Sequence, residues 1–303
     1  MFWKKKRKPD HAEHHAGDAD GHPDPVDIHV VIKTDLGNVR TNNEDAASFI
    51  RKSDAAMLRT KGYLMMVADG MGGHNAGEVA SRLAIDTINE TYFSNTTEKN
   101  REKLLAAAFQ AANKKIFEQA SSNENYRGMG TTCTALVLVA GNIYFAHAGD
   151  SRAYLYKDGK IHRITEDHTY VQELVNNGNI SSEEADTHPQ RNILTNAMGT
   201  KPTMRVDTGV YPQPFGVHDR LMICSDGLYD YLSDAEIGAV MEKGTLQDAA
   251  EHFINEAKRR GGKDNITVVM AEFASRQGEP LGIKETREAG IPVITRDAEI
   301  PET

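Results

Sequence analysis

The chain has 303 residues, of which 39% are hydrophobic and 26% charged, and its formal net charge at pH 7 is -9. The composition is typical of a globular protein with hydrophilic appendages, and the acidic balance argues against nucleic acid as the main partner. No apolar run reaches the ~18 residues that a membrane span needs, and the N-terminus lacks the apolar segment of a signal peptide, so we expect a cytoplasmic protein. The two cysteines, Cys133 and Cys224, lie in apolar runs and are expected to be buried free thiols.

Residues 1–27 form a polar N-terminal tail that has little to bury and is predicted to be disordered. Five consecutive cations, Lys4 to Lys8, follow Phe2 and Trp3 and suggest contact with anionic lipid. An alternative is metal capture by the histidines of the tail, which are His11, His14, His15 and His22. A solvated tail with neither role is the default expectation.

Between residues 28 and 274 the pattern is a mixture of short apolar runs and helical stretches and predicts one folded domain. Strands are predicted over residues 28–33, 46–50, 63–68, 132–140, 142–147, 152–156, 204–211, 220–224 and 265–273. Helices are predicted over residues 78–92, 98–119, 170–176, 233–241 and 246–259. Two adjacent helices between groups of hairpin-connected strands favour an α+β layered fold over alternating βαβ units. Residues 275–303 are again polar and predict a flexible C-terminal extension.

Acidic residues stand at the ends of several predicted strands. Asp69 and Asp226 each close an apolar run and are each followed by Gly, Asp150 follows another run, and Asp264 precedes a fourth. A lone Asp-Gly is most often a turn. Carboxylates gathered at one rim of a sheet, however, repel one another unless a cation holds them. Because almost no His or Cys accompanies them, the pattern favours Mg²⁺ or Mn²⁺ over zinc.

The motifs occur in an order that resembles the bacterial branch of the protein phosphatase 2C (PP2C, or PPM) family of metal-dependent Ser/Thr phosphatases. The matching segments are TDLGNVRTNNED at 34–45, DGMGGH at 69–74, GMGTT at 128–132, AGDSR at 148–152, DHT at 167–169, SDGL at 225–228 and DNIT at 264–267. The resemblance extends from about residue 34 to residue 273.

This resemblance implies a four-layer α-β-β-α sandwich, with two antiparallel β-sheets flanked by helices. It also implies hydrolysis of phosphoserine and phosphothreonine by direct attack of metal-activated water, without a phosphoenzyme. Two tightly bound Mn²⁺ or Mg²⁺ ions and a weaker third ion would serve this reaction. The partners would be phosphorylated proteins, the products of a Ser/Thr kinase, and we expect a monomer.

The resemblance assigns ligands to the metal centre. Asp69, Asp226 and Asp264 would bind two ions directly, together with the carbonyl of Gly70. Asp150 would share a third ion with Asp226, and Asp230 is a further candidate for that ion.

The remaining assigned roles concern catalysis and substrate. Glu44 and Asp45 would act near the second ion, largely through bound water. Arg40 would clamp the substrate phosphate, because a guanidinium matches phosphate oxygens in a bidentate way. The alternative for Arg40 is an ordinary salt bridge to Glu44 or Asp45.

One position departs from the eukaryotic pattern. Met71 stands where eukaryotic members carry a histidine that has been proposed as general acid. Because methionine cannot donate a proton, that role would fall to water or to another group. His74 would face away if Gly72 and Gly73 turn the chain, and His168 is expected to stabilise a turn. Residues 165–201 resemble the variable flap beside the family's active site, with a plain surface loop as the alternative.

Three other functions can be compared with this one. A pseudophosphatase, or a phosphoprotein-binding regulator without turnover, would be expected to lack a metal acid, whereas Asp69, Asp150, Asp226 and Asp264 are all present. A sporulation-type switch phosphatase usually carries a regulatory domain, for which the short tails leave no room. A scaffold located at a membrane by its basic tail could coexist with catalysis.

Overall fold

Two antiparallel β-sheets form the centre of the fold in the computed structural model, which describes residues 28–72 and 76–273. The strands are β1 Ile28–Asp35, β2 Asp45–Ile50, β3 Tyr63–Met71, β4 Gly130–Thr131, β5 Cys133–Val139, β6 Asn142–Ala148, β7 Arg152–Lys157, β8 Lys160–Arg163, β9 Asp207–Val210, β10 Arg220–Cys224 and β11 Ile266–Phe273. In these residues the first sheet has the order β1-β11-β10-β7-β8. The second has the order β2-β3-β5-β6-β9, with the short β4 paired to β3.

Helices cover the outer faces of both sheets. The α-helices of the described residues are α1 Ala55–Lys61, α2 Ala76–Ser94, α3 Arg101–Ser122, α4 Tyr170–Asn176, α5 Ser182–Thr187, α6 Asp226–Tyr229, α7 Asp234–Met241 and α8 Leu246–Arg260. Helices α2 and α3 pack on the second sheet, and α7 and α8 pack on the first. The predicted four-layer α-β-β-α sandwich is therefore confirmed.

The second sheet contributes side chains to two hydrophobic cores, one beneath its helices and one between the two sheets. In β3, Leu64 and Met66 pack against α2 and α3, whereas Met65 and Val67 pack against the opposite sheet. Successive side chains of a strand point to opposite faces, so a strand in a middle layer is apolar on both. This is why the central strands appear in the sequence as continuous apolar runs.

Local signals set the ends of the helices. Asn100 begins α3 by accepting a hydrogen bond from the backbone N–H of Lys103, and Thr245 begins α8 through a capping box with Asp248. Predicted helices and strands agree with the structure for the long elements. Helices α1, α5 and α6 and strands β4 and β8 were not predicted from the sequence, and the strand predicted over 204–211 is confined to Asp207–Val210.

Cys133 and Cys224 are buried free thiols, as predicted. No helix in residues 28–72 or 76–273 has both the length and the apolar character that a bilayer crossing requires. The two predicted tails and His74 lie outside the described residues.

Candidate active site and metal centre

The acids at the strand ends meet at one edge of the sandwich. Asp45 of β2 lies directly opposite Asp69 of β3 in the antiparallel register, so both side chains project from the same face, with Cβ atoms about 5 Å apart. Asp226 is the first residue of α6 and follows β10 of the other sheet. The hydroxyl of Ser225 donates to Oδ2 of Asp45 at 2.8 Å, which joins the two sheets at this edge.

Asp150 and Asp264 complete the group. Asp150 lies in the turn between β6 and β7 and is only 6% exposed, and Asp264 lies just before β11. Burial is the largest cause of the raised pKa of Asp69, and repulsion from Asp45, Asp226, Asp150 and Asp264 raises it further. The structure thus brings together the acids that the sequence analysis singled out.

Burial and mutual repulsion also raise the pKa values of Asp45, Asp150 and Asp226. Burial raises the pKa of Asp45 to about 6, despite hydrogen bonds from Thr267 and Ser225 that lower it. Burial and the charge of Asp167 raise the pKa of Asp150 to about 7. The pKa of Asp226 lies well above its usual value, through burial and then repulsion from Asp150 and Asp264. Such a group is unfavourable at neutral pH unless positive charge offsets it.

The donor set fits a hard divalent cation. Oδ1 of Asp45 and Oδ1 of Asp226 are buried and lack a hydrogen-bond partner among the described residues. Buried carboxylate oxygens without a donor are what Mg²⁺ and Mn²⁺ ligation uses. In their present rotamers, however, no three His, Cys, Asp or Glu side chains of residues 28–72 and 76–273 converge closely enough to hold one ion. Ligation by three of these acids would therefore require their side chains to move.

Both carboxylate oxygens of Asp264 already accept a hydrogen bond. Its Oδ2 accepts from Nη2 of Arg40 at 2.7 Å, and its Oδ1 accepts from the backbone N–H of Asn265 at 2.8 Å. Each carboxylate oxygen keeps a second lone pair. Asp264 can therefore serve as a ligand while still bonded to Arg40 or Asn265.

Arg40 forms its ion pair with Asp264, and not with the Glu44 or Asp45 that the salt-bridge alternative had named. Its side chain is 48% exposed, so the guanidinium faces solvent at the edge of the site. The negative charges of Asp264, Glu44 and Asp69 raise the pKa of Arg40, although burial, the largest single effect, lowers it. A permanent cation beside the carboxylate group is thus available to an anionic ligand.

Glu44 lies between Arg40 and the first turn of α2. A Cβ atom on Gly77 would be 2.7 Å from Cδ of Glu44, which places the carboxyl against the N-terminal end of that helix. The Glu44 carbonyl accepts from Gly70 N–H at 3.1 Å and from the Ser81 hydroxyl at 2.6 Å. Burial raises the pKa of Glu44, and Arg40 partly counteracts this.

Asn265 is a site residue that the sequence analysis did not assign. Its side-chain carbonyl accepts from the backbone N–H of Glu44 at 2.8 Å, and its amide donates to the carbonyls of Leu36 and Asn42 at 3.2 and 3.0 Å. One side chain thus fixes the loop that carries Arg40 and Glu44 onto the strand that follows Asp264. Ser225, which bonds Asp45, was missed in the same way. The sequence signals for these two residues are their positions beside predicted metal acids, within the segments SDGL at 225–228 and DNIT at 264–267.

Met71 and His168 occupy different places around the acids. The methyl group of Met71 lies 2.8 Å from where a Cβ on Gly130 would be, so this side chain packs on β4 and offers no proton. His168 is 2% exposed and accepts from the backbone N–H of Gly149 at 3.1 Å, which confirms the expectation that it stabilises a turn.

The segment 165–201 covers one side of the site. It contains α4 and α5, and its two ends meet at an isolated bridge between Thr169 and Leu194. A cavity of about 730 Å³ separates it from α6 and α7 and reaches Asp150. Nη2 of Arg191 bonds Asp230 at 3.1 Å across this cavity. The segment therefore adjoins the acids, as a flap would.

The chain is similar to known proteins over most of its length. A sequence model of the family described as Protein phosphatase 2C matches residues 38–265. The serine/threonine phosphatase stp of Listeria innocua is 39% identical over 249 residues, which are 81% of this chain and 96% of that protein. The serine/threonine protein phosphatase PstP of Mycobacterium tuberculosis is 38% identical over 81% of this chain and 45% of its own length.

Solved structures agree with the sequence matches. The serine/threonine phosphatase of S. agalactiae superposes with a TM-score of 0.72 and 36% identity, over 82% of this chain and all of that one. The catalytic domain of PstP in complex with two manganese ions superposes with a TM-score of 0.67 and 34% identity, over 82% of this chain and 99% of that one. By sequence match and by fold, this chain belongs to the protein phosphatase 2C family.

Proposed function

We propose that the chain is a metal-dependent protein phosphatase that hydrolyses phosphoserine and phosphothreonine. The observation that carries the proposal is the group of partly or fully buried acids at the edge of the sandwich, two of which present unpartnered buried oxygens. Membership of the protein phosphatase 2C family supports the same reaction. No observation on the described residues favours a binding protein without turnover.

We propose Asp69, Asp226 and Asp264, with the carbonyl of Gly70, as the ligands of two Mn²⁺ or Mg²⁺ ions. Asp150 would serve a third, weaker ion together with Asp226 and Asp230. When bound, such ions would polarise a phosphoryl oxygen and lower the pKa of bound water. The raised pKa values of Asp69, Asp150 and Asp226 support their roles, because positive charge would offset both the burial and the mutual repulsion of these carboxylates.

The other residues act on substrate and water. Arg40 would bind the phosphate of the substrate through the N–H groups that do not bond Asp264. Glu44 and Asp45 would orient water beside the ions, and the bond from Ser225 to Asp45 holds that carboxylate in one orientation. Since Met71 has no proton to give, protonation of the leaving alkoxide falls to water or to another group.

The test is phosphate release from p-nitrophenyl phosphate and from a phosphothreonine peptide, with Mn²⁺, Mg²⁺ or EDTA. We expect release with either metal and none with EDTA. The matched control is Asp86→Asn, which removes an exposed acid on α2 and should leave the metal response unchanged. Activity that survives EDTA would contradict the proposal.

The substrates and the assembly state are part of the same proposal. We propose that the substrates are proteins phosphorylated by a Ser/Thr kinase and that the chain acts as a monomer. Light scattering of the purified protein, with and without Mn²⁺, checks the second point, and a stable dimer would contradict it.

A further inference from the structure

The turn that carries Asp150 is held by hydrogen bonds on both sides of that residue. On one side, Gly149 donates its N–H to Nδ1 of His168 at 3.1 Å, and its carbonyl accepts from the backbone N–H of His168 at 2.7 Å. Gly149 has a φ of 114°, and a Cβ there would lie 2.4 Å from Cβ of Thr132. The turn therefore has little freedom to adopt another conformation.

On the other side, Ser151 is held through two threonines. Thr134 donates its hydroxyl proton to the carbonyl of Ser151 at 2.8 Å, and the hydroxyls of Ser151 and Thr132 are 2.8 Å apart. Because Thr134 has used its proton, Nδ1 of His147 is the donor in their 2.8 Å contact. Burial lowers the pKa of His147 to about 3, so this ring stays neutral.

The hydrogen bonds of His168 determine its tautomer. Its Nδ1 receives N–H groups from Gly149 and from the side chain of Asn196, at 3.1 and 2.8 Å, so Nδ1 carries no proton. The proton is therefore on Nε2, which donates to Oδ2 of Asp207 on β9 at 3.0 Å. An ion pair with Arg205 at 2.9 Å keeps that carboxylate charged.

His168 also lies where the two ends of the flap segment 165–201 meet. Its carbonyl accepts from the backbone N–H of Thr195 at 2.9 Å, and Asn196 bonds its ring. Two residues further on, Tyr170 donates its N–H to the carbonyl of Ile193 at 2.8 Å. The buried imidazole of His168, at one end of the flap segment, thus contacts the Asp150 turn, the other end of the segment and strand β9.

We propose that His168 is a positioning residue for the metal centre: its Nδ1 lone pair holds the turn that orients the Asp150 carboxylate and ties that turn to the base of the flap. The inference rests on the proposed function insofar as it takes Asp150 for a metal ligand. His168 touches neither substrate nor ion and acts only through Gly149. Groups that orient metal ligands in this way typically contribute about 10–100-fold to metal affinity.

The test compares two variants of the full-length protein, each of which retains a polar atom near one of the two ring nitrogens of His168. Both proteins are freed of metal with EDTA and titrated with Mn²⁺ in a calorimeter. His168→Asn keeps an acceptor at the position of Nδ1 and loses the bond to Asp207. His168→Gln can reach Asp207 with its amide but has no acceptor facing Gly149. Asp150→Asn identifies the Mn²⁺ site that depends on Asp150.

We expect His168→Gln to weaken the Asp150-dependent site by about 10–100-fold and His168→Asn to weaken it clearly less. In the Asp150→Asn background, His168→Gln should cause no further loss, because its effect passes through Asp150. An unchanged Mn²⁺ isotherm in His168→Gln, or a larger loss in His168→Asn, overturns the proposal. A purely structural role would lower the melting temperature and leave the isotherm unchanged.

If His168→Gln does not fold, His168→Phe answers the same question, since it keeps a ring of similar volume and has no acceptor facing Gly149. A clearly weaker Asp150-dependent site in His168→Phe than in His168→Asn supports the proposal, and an unchanged isotherm overturns it. If Asp150→Asn leaves the wild-type isotherm intact, the role of Asp150 fails and this inference fails with it. If wild-type protein binds Mn²⁺ but releases no phosphate, only the proposed activity is contradicted.

Discussion

The acid group at the edge of the sandwich should make the metal-free protein less stable as the pH rises, and Asp150→Asn should relieve part of that loss. Burial raises the pKa of Asp150 from 3.8 to about 7. Between these values the folded chain holds a proton that the unfolded chain has released. Asp150 therefore leaves the stability unchanged below about pH 4, lowers it progressively between about pH 4 and 7, and exerts its full penalty above about pH 7.

The magnitude follows from the size of this change. One pKa unit corresponds to about 1.4 kcal/mol, so ionising Asp150 in the folded, metal-free protein costs about 4 kcal/mol at pH 8. Asparagine has nearly the same shape and no charge, so the variant should recover up to this amount. For a domain of this size, about 1 kcal/mol shifts the melting temperature by about 2–4 °C. A rise on the order of 10 °C at pH 8 is expected, with little change at pH 4.

The assay is thermal unfolding of wild type and Asp150→Asn in EDTA, at pH values from 4 to 8. His147 acts in the opposite direction, because its lowered pKa makes stability rise with pH up to its unfolded value of 6.5. Taking the difference between the two proteins at each pH removes that contribution. Asp86→Asn, on the exposed face of α2, is the control and should show no pH-dependent gain. A difference between wild type and Asp150→Asn that is constant from pH 4 to 8 would refute the reasoning.

Three further predictions concern the site and its packing. Asp226→Asn should reduce Mn²⁺-dependent phosphate release on the order of 100-fold or more and abolish the rise in melting temperature on adding Mn²⁺; full activity would argue against its ligand role. Arg40→Ala should lower kcat/KM for p-nitrophenyl phosphate by about 10–100-fold, mainly through KM, since charged hydrogen bonds contribute about 1.5–3 kcal/mol; an unchanged KM would remove the case for a phosphate clamp. Gly227→Ala would place a Cβ 2.0 Å from the carbonyl oxygen of Asn265 and should destabilise the protein by about 1–3 kcal/mol in chemical denaturation. Gly216→Ala, whose Cβ would meet only an ordinary 3.4 Å contact, is its control and should change stability by less than about 0.5 kcal/mol.

Much of the fold was predictable because long elements carry strong periodic signals. Strand β3 is apolar on both faces because it lies between α2 and the opposite sheet, and α3 shows a repeating apolar stripe. The missed elements are short. Helix α5 has six residues, and its capping box of Ser181 and Glu184 is a local signal without an apolar stripe to support it.

The sequence by itself determined which residues could form the site. Acids at the ends of apolar strands are expected at the rim of a sheet, where water can reach them. This follows from the alternation of side chains along a strand and from the rarity of buried charged residues. Only the tertiary structure decided how they are held. Arg40 bonds Asp264, which lies 224 positions away, and Ser225 bonds Asp45 across 180 positions. Both contacts depend on how distant segments pack together, and the second joins the two sheets, which no local pattern of residues encodes. The role of His168 could not be predicted from the sequence for the same reason. Its ring accepts a hydrogen bond from the backbone N–H of Gly149, which is close to it only in the folded protein.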